Sequence, residues 1–416
     1  MTSRRIARLG LLLALLPAAR GAEDFFDRLD EALTVSSFDD RVRTRLSGTL
    51  DLEGYALSQP SPGLLYTPGH SLFNPRLSTF LDVQLGDQFY AFAQARADRG
   101  FDPSHEKPEA RLDEYAVRFT PSRDGRFNVQ VGKFATVVGN WVSRHGSWDN
   151  PFITAPLPYE HLTGVWDLAP PRSGIQLQNW AHVLPTSSPV IEYAEKPRRT
   201  PVIWGPSYTS GAAVFGRVGN FDYAAELKNA ALSSHPDAWP HDNQWAHPTV
   251  SGRLGYRPNA MWNLGFSASD GAYLRPSADP LLPPGQNRGD YRETVLAQDV
   301  AFAWHHVQLW GEIYHARFTI PRVGRADTTA YYVEAKYKFT PQFFGAVRWN
   351  QQLFATIPNG AGGRTAWGRE VWRIDLAPTY RFTPQTQFKL QSSLLHDPSG
   401  PHRHSLTHAA QFTLRF

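Results

Sequence analysis

The sequence predicts an all-β protein, a transmembrane antiparallel up-and-down β-barrel of about 18 strands, on three observations. Segments of about ten residues alternate apolar and polar side chains from residue 46 onward. No run of about 20 apolar residues exists that could cross a bilayer as a helix. The chain ends "HAAQFTLRF", with Ala410, Phe412, Leu414 and Phe416 alternating against Gln411, Thr413 and Arg415. A strand that runs to the last residue ties the C-terminus into a sheet, where most chains fray.

Taken in order, Arg4, Arg5 and Arg8 precede the apolar run "LGLLLALLPAA" and a small-x-small site at Ala19-Arg20-Gly21. This is the pattern of a secretory signal peptide over 1–21. Residues 22–44 form a periplasmic segment, where "EDFFDRLDEAL" sets Phe25, Phe26, Leu29 and Leu33 on one face of a short helix. Whether this segment also enters the lumen stays open. The barrel occupies 45–416.

In "LSGTLDLEGYAL", Leu46, Leu50 and Leu52 oppose Ser47, Thr49, Asp51 and Glu53; in 76–85, Leu77, Leu81, Val83 and Leu85 oppose Arg76, Ser78, Asp82 and Gln84. Similar segments recur near 89–98, 112–119, 126–134, 208–218, 221–229, 249–257, 291–303, 306–318, 329–339, 342–354, 370–382 and 385–395. The motif Phe-Thr-Pro at 119, 339 and 382 repeats a strand end with paired aromatics followed by a turn. Aromatics suit the bilayer interface, and proline suits a turn because it has no backbone donor to leave unpaired.

Connections alternate in length, as barrels with short periplasmic turns and long outer loops require. Long ones fall at 58–70, 98–109, 231–248, 270–290, 319–328, 355–369 and 396–403. Counts from the two ends meet in phase if 160–169 and 174–183 are strands, which gives 18. If both are loop, the count falls to 16.

Removing Arg4, Arg5, Arg8 and Arg20 with the leader balances the mature chain at 38 basic and 38 acidic residues. That balance removes the electrostatic basis for a nucleic-acid partner. With no cysteine, no disulfide staples are available. Closure takes their place, because a closed barrel pairs every strand edge. No Gly-x-Ser-x-Gly elbow and no His-Glu-x-x-His occurs, so no enzyme, cofactor or metal is expected. His402, His404 and His408 lie close together near the C-terminus and read as solvated loop residues.

By phase, the lumen receives Arg76, Asp82, Arg96, Glu114, Arg118, Asp222, Glu226, Lys228, Arg253, Glu312, Glu334, Lys336, Lys338, Arg348, Arg373, Asp375, Arg381 and Lys389. Of these, Arg76, Arg96, Arg118, Glu312, Lys336, Arg348, Arg373 and Asp375 are the expected pore lining. Mixed charge inside an apolar-coated wall suits a diffusion channel, while cross-strand pairing in a plugged barrel would use the same residues. Inward Tyr90, Phe92, Trp310 and Tyr314 offer a stacking path for sugars or merely fill the wall.

The terminal "FTLRF", with Phe412, Leu414 and Phe416, resembles the signature read by the outer-membrane barrel-assembly machinery. "VQVGKF" at 129–134, followed by the Trp-, Asn-, Gly- and Pro-rich "ATVVGNWVSRHGSWDNPFITAPLPYE", is similar to the general porin family and, more weakly, to phosphate-selective and carbohydrate-type porins. There a strand of this kind precedes an outer loop folded into the lumen. The resemblance implies a passive outer-membrane porin for small hydrophilic solutes in a Gram-negative-type cell. Lipid, lipopolysaccharide and the assembly machinery are its implied partners, and a homotrimer is an allowed assembly. It places Arg144, His145, Trp148 and Asp149 at a constriction facing Arg96, Arg118, Glu312 and Arg348. A plugged structural, adhesive or enzymatic barrel is the alternative.

Overall fold

The alternating segments close into a cylinder. The computed structural model describes residues 25, 28–39, 41–58, 63–65, 67, 69–98, 109–182, 199–235, 245–398 and 403–416. The leader at 1–21 and His402 lie outside the described residues.

A short strand, β1 (Thr34–Ser37), precedes the barrel. The first half of the wall is β2 (Val42–Leu57), β3 (Ser71–Leu85), β4 (Phe89–Asp98), β5 (Glu109–Phe119), β6 (Asn128–Phe134), β7 (Thr209–Val218), β8 (Phe221–Lys228) and β9 (Thr249–Tyr256). The second half is β10 (Trp262–Ala272), β11 (Arg292–Trp304), β12 (Val307–Ile320), β13 (Gly324–Lys338), β14 (Phe343–Phe354), β17 (Val371–Arg381), β18 (Thr386–His396) and β19 (His404–Arg415). A small hairpin, β15 (Thr356–Pro358) with β16 (Arg364–Ala366), sits in the connection after β14.

Each of these sixteen strands pairs antiparallel with its successor. β19 pairs with β2 to close the ring. The count is therefore 16. Residues 160–169 and 174–183 are not wall strands: Leu157–Glu160 is a helical turn, Trp166 makes only an isolated bridge with Arg199, and Gly174–His182 is a helix. Val165 and Leu177 are buried in the core inside the barrel while Ile175 is exposed, so burial here follows the packing of the loop and alternation carries no information on wall membership.

The expected C-terminal strand closes the barrel through its last residue. Phe416 N–H donates to the Gly48 carbonyl at 3.0 Å, and Gly48 N–H donates to the Phe416 carbonyl at 2.9 Å. A Cβ at residue 48 would stand 2.6 Å from the Phe416 ring, so glycine leaves room for the terminal aromatic. Beyond that point β19 no longer covers β2, and β1 takes over its free edge through Thr34↔Arg45 to Ser37↔Val42. Residues 28–32 are helical, with Asp30 paired to Arg45 of β2 at 2.8 Å.

Faces invert relative to a soluble protein. Leu77, Leu81, Leu264, Phe266, Val333, Val347 and Leu390 are exposed outward, while Arg348, Asp375, Lys389 and Thr413 on the opposite phase are sealed inside. Short turns (86–88, 219–220, 305–306, 339–342, 382–385) gather with β1 and the C-terminus at the end that faces the periplasm in such barrels. Aromatics ring this end, with Tyr337 and Phe339 at 5.0 Å, Tyr380 and Phe382 at 5.0 Å, and Phe89 and Phe119 at 4.9 Å.

One outer connection departs from expectation. The long loop expected at 319–328 is a three-residue turn, because β12 continues to Ile320 and β13 begins at Gly324. The polar residues there belong to strands: Arg317 pairs outward with Asp327 at 2.8 and 2.9 Å, while Phe318, Ile320 and Ala326 pack inward. The wall is consequently uneven. β6, β8 and β9 have 7 or 8 residues, against 14 and 15 in β12 and β13. At about 3.3 Å per residue the low side runs roughly 25 Å and the high side nearly 50 Å along the strand.

Candidate functional site

The chain leaves the low wall at Ala135 and returns at Thr209, and the described residues between them, 136–182 and 199–208, pack largely inside the lumen. Its core joins Val138, Trp141, Tyr159, Leu177, Val202 and Ile203 to inward residues of the high wall such as Tyr314, Phe318 and Tyr332.

Backbone N–H groups at the start of this segment are caught by carboxylates. Glu114 accepts from Ala135 N at 2.7 Å, and Glu226 accepts from Val137 N at 3.2 Å and from the Thr136 hydroxyl at 2.6 Å. Glu312 accepts from Asn140 N, from Trp141 N at 2.7 Å, and from the Tyr159 and Tyr314 hydroxyls at 2.7 and 2.9 Å. Gly139, at φ +80°, passes so close to this group that a Cβ would lie 2.1 Å from the Tyr314 hydroxyl. No other residue fits there.

Further along, carbonyls are caught by cations. Lys389 donates to the carbonyls of Ser147 and, at 2.6 Å, Asn150. Arg381 donates to Trp148 O at 3.2 Å, and Arg348 to Thr154 O and Ala155 O at 3.1 and 3.2 Å. Arg373 reaches Ala155 O and the Glu160 carboxylate. Gln391 accepts from Ile153 N at 2.6 Å.

Seven of the eight expected pore-lining residues divide into two groups, and the eighth, Lys336, is nearly buried over the Phe344 ring. Arg348, Arg373, Asp375 and Glu312 point inward but are covered by the loop, with Arg348 and Asp375 fully buried. They hold one another and the loop: Arg348 is 2.9 Å from Asp375, and Arg373 is 2.9 Å from the same carboxylate. Arg76, Arg96 and Arg118 lie on the other side, where space remains. Arg76 pairs with Asp51 and Glu53, and Arg96 with Asp98 and Asp113 at 3.4 and 2.8 Å. Arg111, absent from the expected set, bridges Asp98 and Asp113 at 3.3 and 3.1 Å. It joins the row because a β-bulge opposite Gln94/Ala95 shifts the phase of β5. The consecutive Asp113-Glu114, which breaks strict alternation, is the sequence signal of that bulge.

Of Arg144, His145, Trp148 and Asp149, the last three line one cavity together with Arg96, whereas Arg144 does not. Arg144 turns to the high wall, donating to Glu334 at 2.7 Å and Tyr332 at 3.1 Å and lying over Trp310 at 4.5 Å. His145 lies against Tyr208, with Nε2 2.7 Å from its hydroxyl and Nδ1 2.6 Å from Val142 O. This geometry makes Nδ1 the donor and Nε2 the acceptor. Its pKa is lowered, first by desolvation and then by Arg96 and Arg76. Trp148 and Asp149 sit at the short-turn end beside Arg415.

Of the four inward aromatics, Tyr90 and Phe92 stack at 5.8 Å beside open space, whereas Trp310 and Tyr314 are engaged by the loop. His404 and His408 lie on β19 and not in a loop; His404 is 4.8 Å from His396, and His408 bonds Ser392 at 2.9 Å. Among the described residues no histidine or carboxylate group is arranged to hold a metal.

Two cavities open at the short-turn end. One, of about 800 Å³, is lined by Tyr90, Phe92, Glu114, Arg118, Asp222 and Arg253. The other, of about 670 Å³, is lined among others by Arg45, Arg76, Arg96, Trp148, Asp149 and Arg415. A narrow space of about 70 Å³, bounded by Arg76, Arg96, Arg111, His145, Tyr159 and Tyr208, continues it beneath the loop. That is room for a few waters.

No family model and no curated protein matches the chain. Solved structures do. OmpF of Salmonella typhi, solved with daunomycin, is 13% identical, covers 92% of this chain and 100% of its own, and superposes with a TM-score of 0.55. The anion-selective porin from Comamonas acidovorans is 10% identical over 90% of this chain and all of its own, at 0.55. The outer membrane channel DcaP of Acinetobacter baumannii is 8% identical over 92% and 100%, at 0.56. The chain has the porin-type, outer-membrane β-barrel fold.

Proposed function

We propose that this protein is an outer-membrane channel through which small hydrophilic solutes diffuse, restricted at mid-barrel by residues 135–182 and 199–208. The observation that carries the reading is that the 670 Å³ vestibule and the 70 Å³ space share Arg76, Arg96, His145 and Ser147 in their linings, with Arg111 beside the inner space. Arg76, Arg96 and Arg111 are each paired with carboxylates, so this stretch of the passage is polar without holding a fixed excess charge that would trap an ion. Arg348, Arg373, Asp375 and Glu312 act as anchors for the loop, and His145 with Tyr208 forms the opposite bank of the passage. A homotrimer is the assembly this reading favours.

A second reading is a plugged barrel, favoured by the size of the apolar core inside the lumen. Planar-bilayer recording separates the two. The wild type should show small, steady conductance, and deletion of residues 141–150 should raise it several-fold. Silence from both proteins would sink the channel reading.

A further inference from the structure

The sequence shows no run of lysines or arginines that would commit the lumen to one ion, but closure of the barrel assembles one. Lys336 of β13, Arg381 of β17 and Arg415 of β19 come together around two rings. Arg415 lies over Trp148 at 4.1 Å and Arg381 over the same ring at 4.8 Å. Arg381 also lies 5.5 Å from the Phe344 ring, and Lys336 lies over Phe344 at 4.1 Å. The result is a ladder of three cations interleaved with two aromatics at the periplasmic end of the lumen.

Among the described residues these cations lack carboxylate partners, as do Arg118, which donates to Gln130, and Lys389, which donates to carbonyls; what sets the three apart is that they converge on the same two rings. Arg45, Arg76, Arg96, Arg111, Arg253, Arg348 and Arg373 each have a carboxylate within ion-pair distance. Among the described residues, Lys336, Arg381 and Arg415 have none. Arg381 donates only to neutral oxygens, those of Gln387 at 3.3 Å and Trp148 at 3.2 Å, and Arg415 to Pro384 O at 2.7 Å. The Lys336 amino group has no hydrogen-bond partner among the described residues, although the residue is only 8% exposed. Asp149 acts on all three from beyond ion-pair distance, and Glu334, already paired with Arg144, acts on Lys336. A nearly buried cation without a counter-charge is costly, and the cost falls when an anion arrives. Trp148, Asp149 and Arg415 line the 670 Å³ vestibule, so an anion can reach the cluster from solvent.

We propose that Lys336, Arg381 and Arg415, braced on Trp148 and Phe344, form a binding site for small oxyanions, phosphate or carboxylate, at the periplasmic mouth. It rests on the channel reading for its role in transport, where it would make the passage favour anions, but its binding can be read without any current.

Two measurements on the purified mature protein test it. In detergent, inorganic phosphate titrated calorimetrically should bind the wild type, and Arg381→Gln combined with Arg415→Gln should weaken binding about ten-fold or more. Charge-conserving Arg381→Lys should retain most of it, and Lys336→Gln, the mildest change, should cost several-fold if the double variant does not fold. In bilayers under a potassium chloride gradient, the wild-type reversal potential should lie on the anion side and move toward cations in the glutamine variants. Phosphate binding that disappears in the variants while no current is seen retains the site and overturns the channel. Current with no phosphate binding, or binding equal in wild type and Lys336→Gln, overturns the site and leaves the channel.

Discussion

The inner wall grips the loop by opposite means on its two sides. Glu114, Glu226 and Glu312 hold N–H groups of residues 135–141, while Arg348, Arg373, Arg381 and Lys389 hold carbonyls of residues 147–155. The cationic side is also cross-braced by acids, with Asp375 between Arg348 and Arg373. On the acidic side, Glu312 has no cation within ion-pair distance among the described residues and is held by hydrogen-bond donors. The comparison teaches that the wall recognises the loop through its backbone, which every sequence presents. Charges expected to meet passing ions are instead used to hold the restriction in place.

The largest effect should come from breaking the side with no reserve. Glu312→Ala removes one acceptor serving two backbone N–H groups and two tyrosine hydroxyls, all buried. A loss of about 3–5 kcal/mol in loop docking is expected. Arg348→Met should cost less, about 2–3 kcal/mol, because Asp375 keeps Arg373, Asn350 and Ser393. Limited proteolysis within 135–208 reads both. Equal protection in Glu312→Ala and wild type would contradict the asymmetry.

How far this arrangement could be read in the sequence depends on which contacts are local. Outward leucines at Leu77 and Leu81, the aromatic turns and the terminal Phe416 report on lipid and interface, environments that each strand meets by itself, and these were legible. Inside, alternation fails. "EHLTGVWDLA" has the rhythm of a strand yet lies within the loop, where Val165 is buried by neighbours distant in sequence. Arg144 illustrates the same limit at the site: its partner Glu334 is 190 residues away, so nothing near it announces which wall it will choose. Lys336, Arg381 and Arg415 were each legible as inward cations, whereas their union around Trp148 required the ring to close.

A change of pH should sharpen the comparison at intermediate strength, because His145 faces the paired row. Arg76, Arg96, Asp113 and Tyr208 surround it, and desolvation together with the two arginines lowers its pKa. A base whose pKa is depressed in the packed state holds fewer protons there than when released, where the ordinary value is about 6.5. Packing is thus at full strength above that value and weakens as pH falls below it. His161, also lowered by burial, adds in the same direction, and Glu160, raised by burial, opposes it. Channel current should therefore rise as pH is lowered from 7 to 5, and His145→Gln should flatten most of that rise. An unchanged pH profile in His145→Gln would show that this residue does not couple protonation to the restriction.

The smallest effect belongs to the outward face of the same high wall. Arg317 makes two hydrogen bonds to Asp327, at 2.8 and 2.9 Å, a geometry as good as any pair inside the lumen. Its environment differs, since the Arg317 side chain is 39% exposed and that of Arg348 is not exposed at all. An exposed pair is screened by water and salt and contributes no more than about 1 kcal/mol. Arg317→Ala should leave proteolysis of the loop unchanged and shift thermal unfolding only slightly, less at high salt than at low. If it loosened the loop as much as Arg348→Met does, ion-pair geometry rather than burial would govern how this wall holds what it encloses, and the contrast between its two faces would fail.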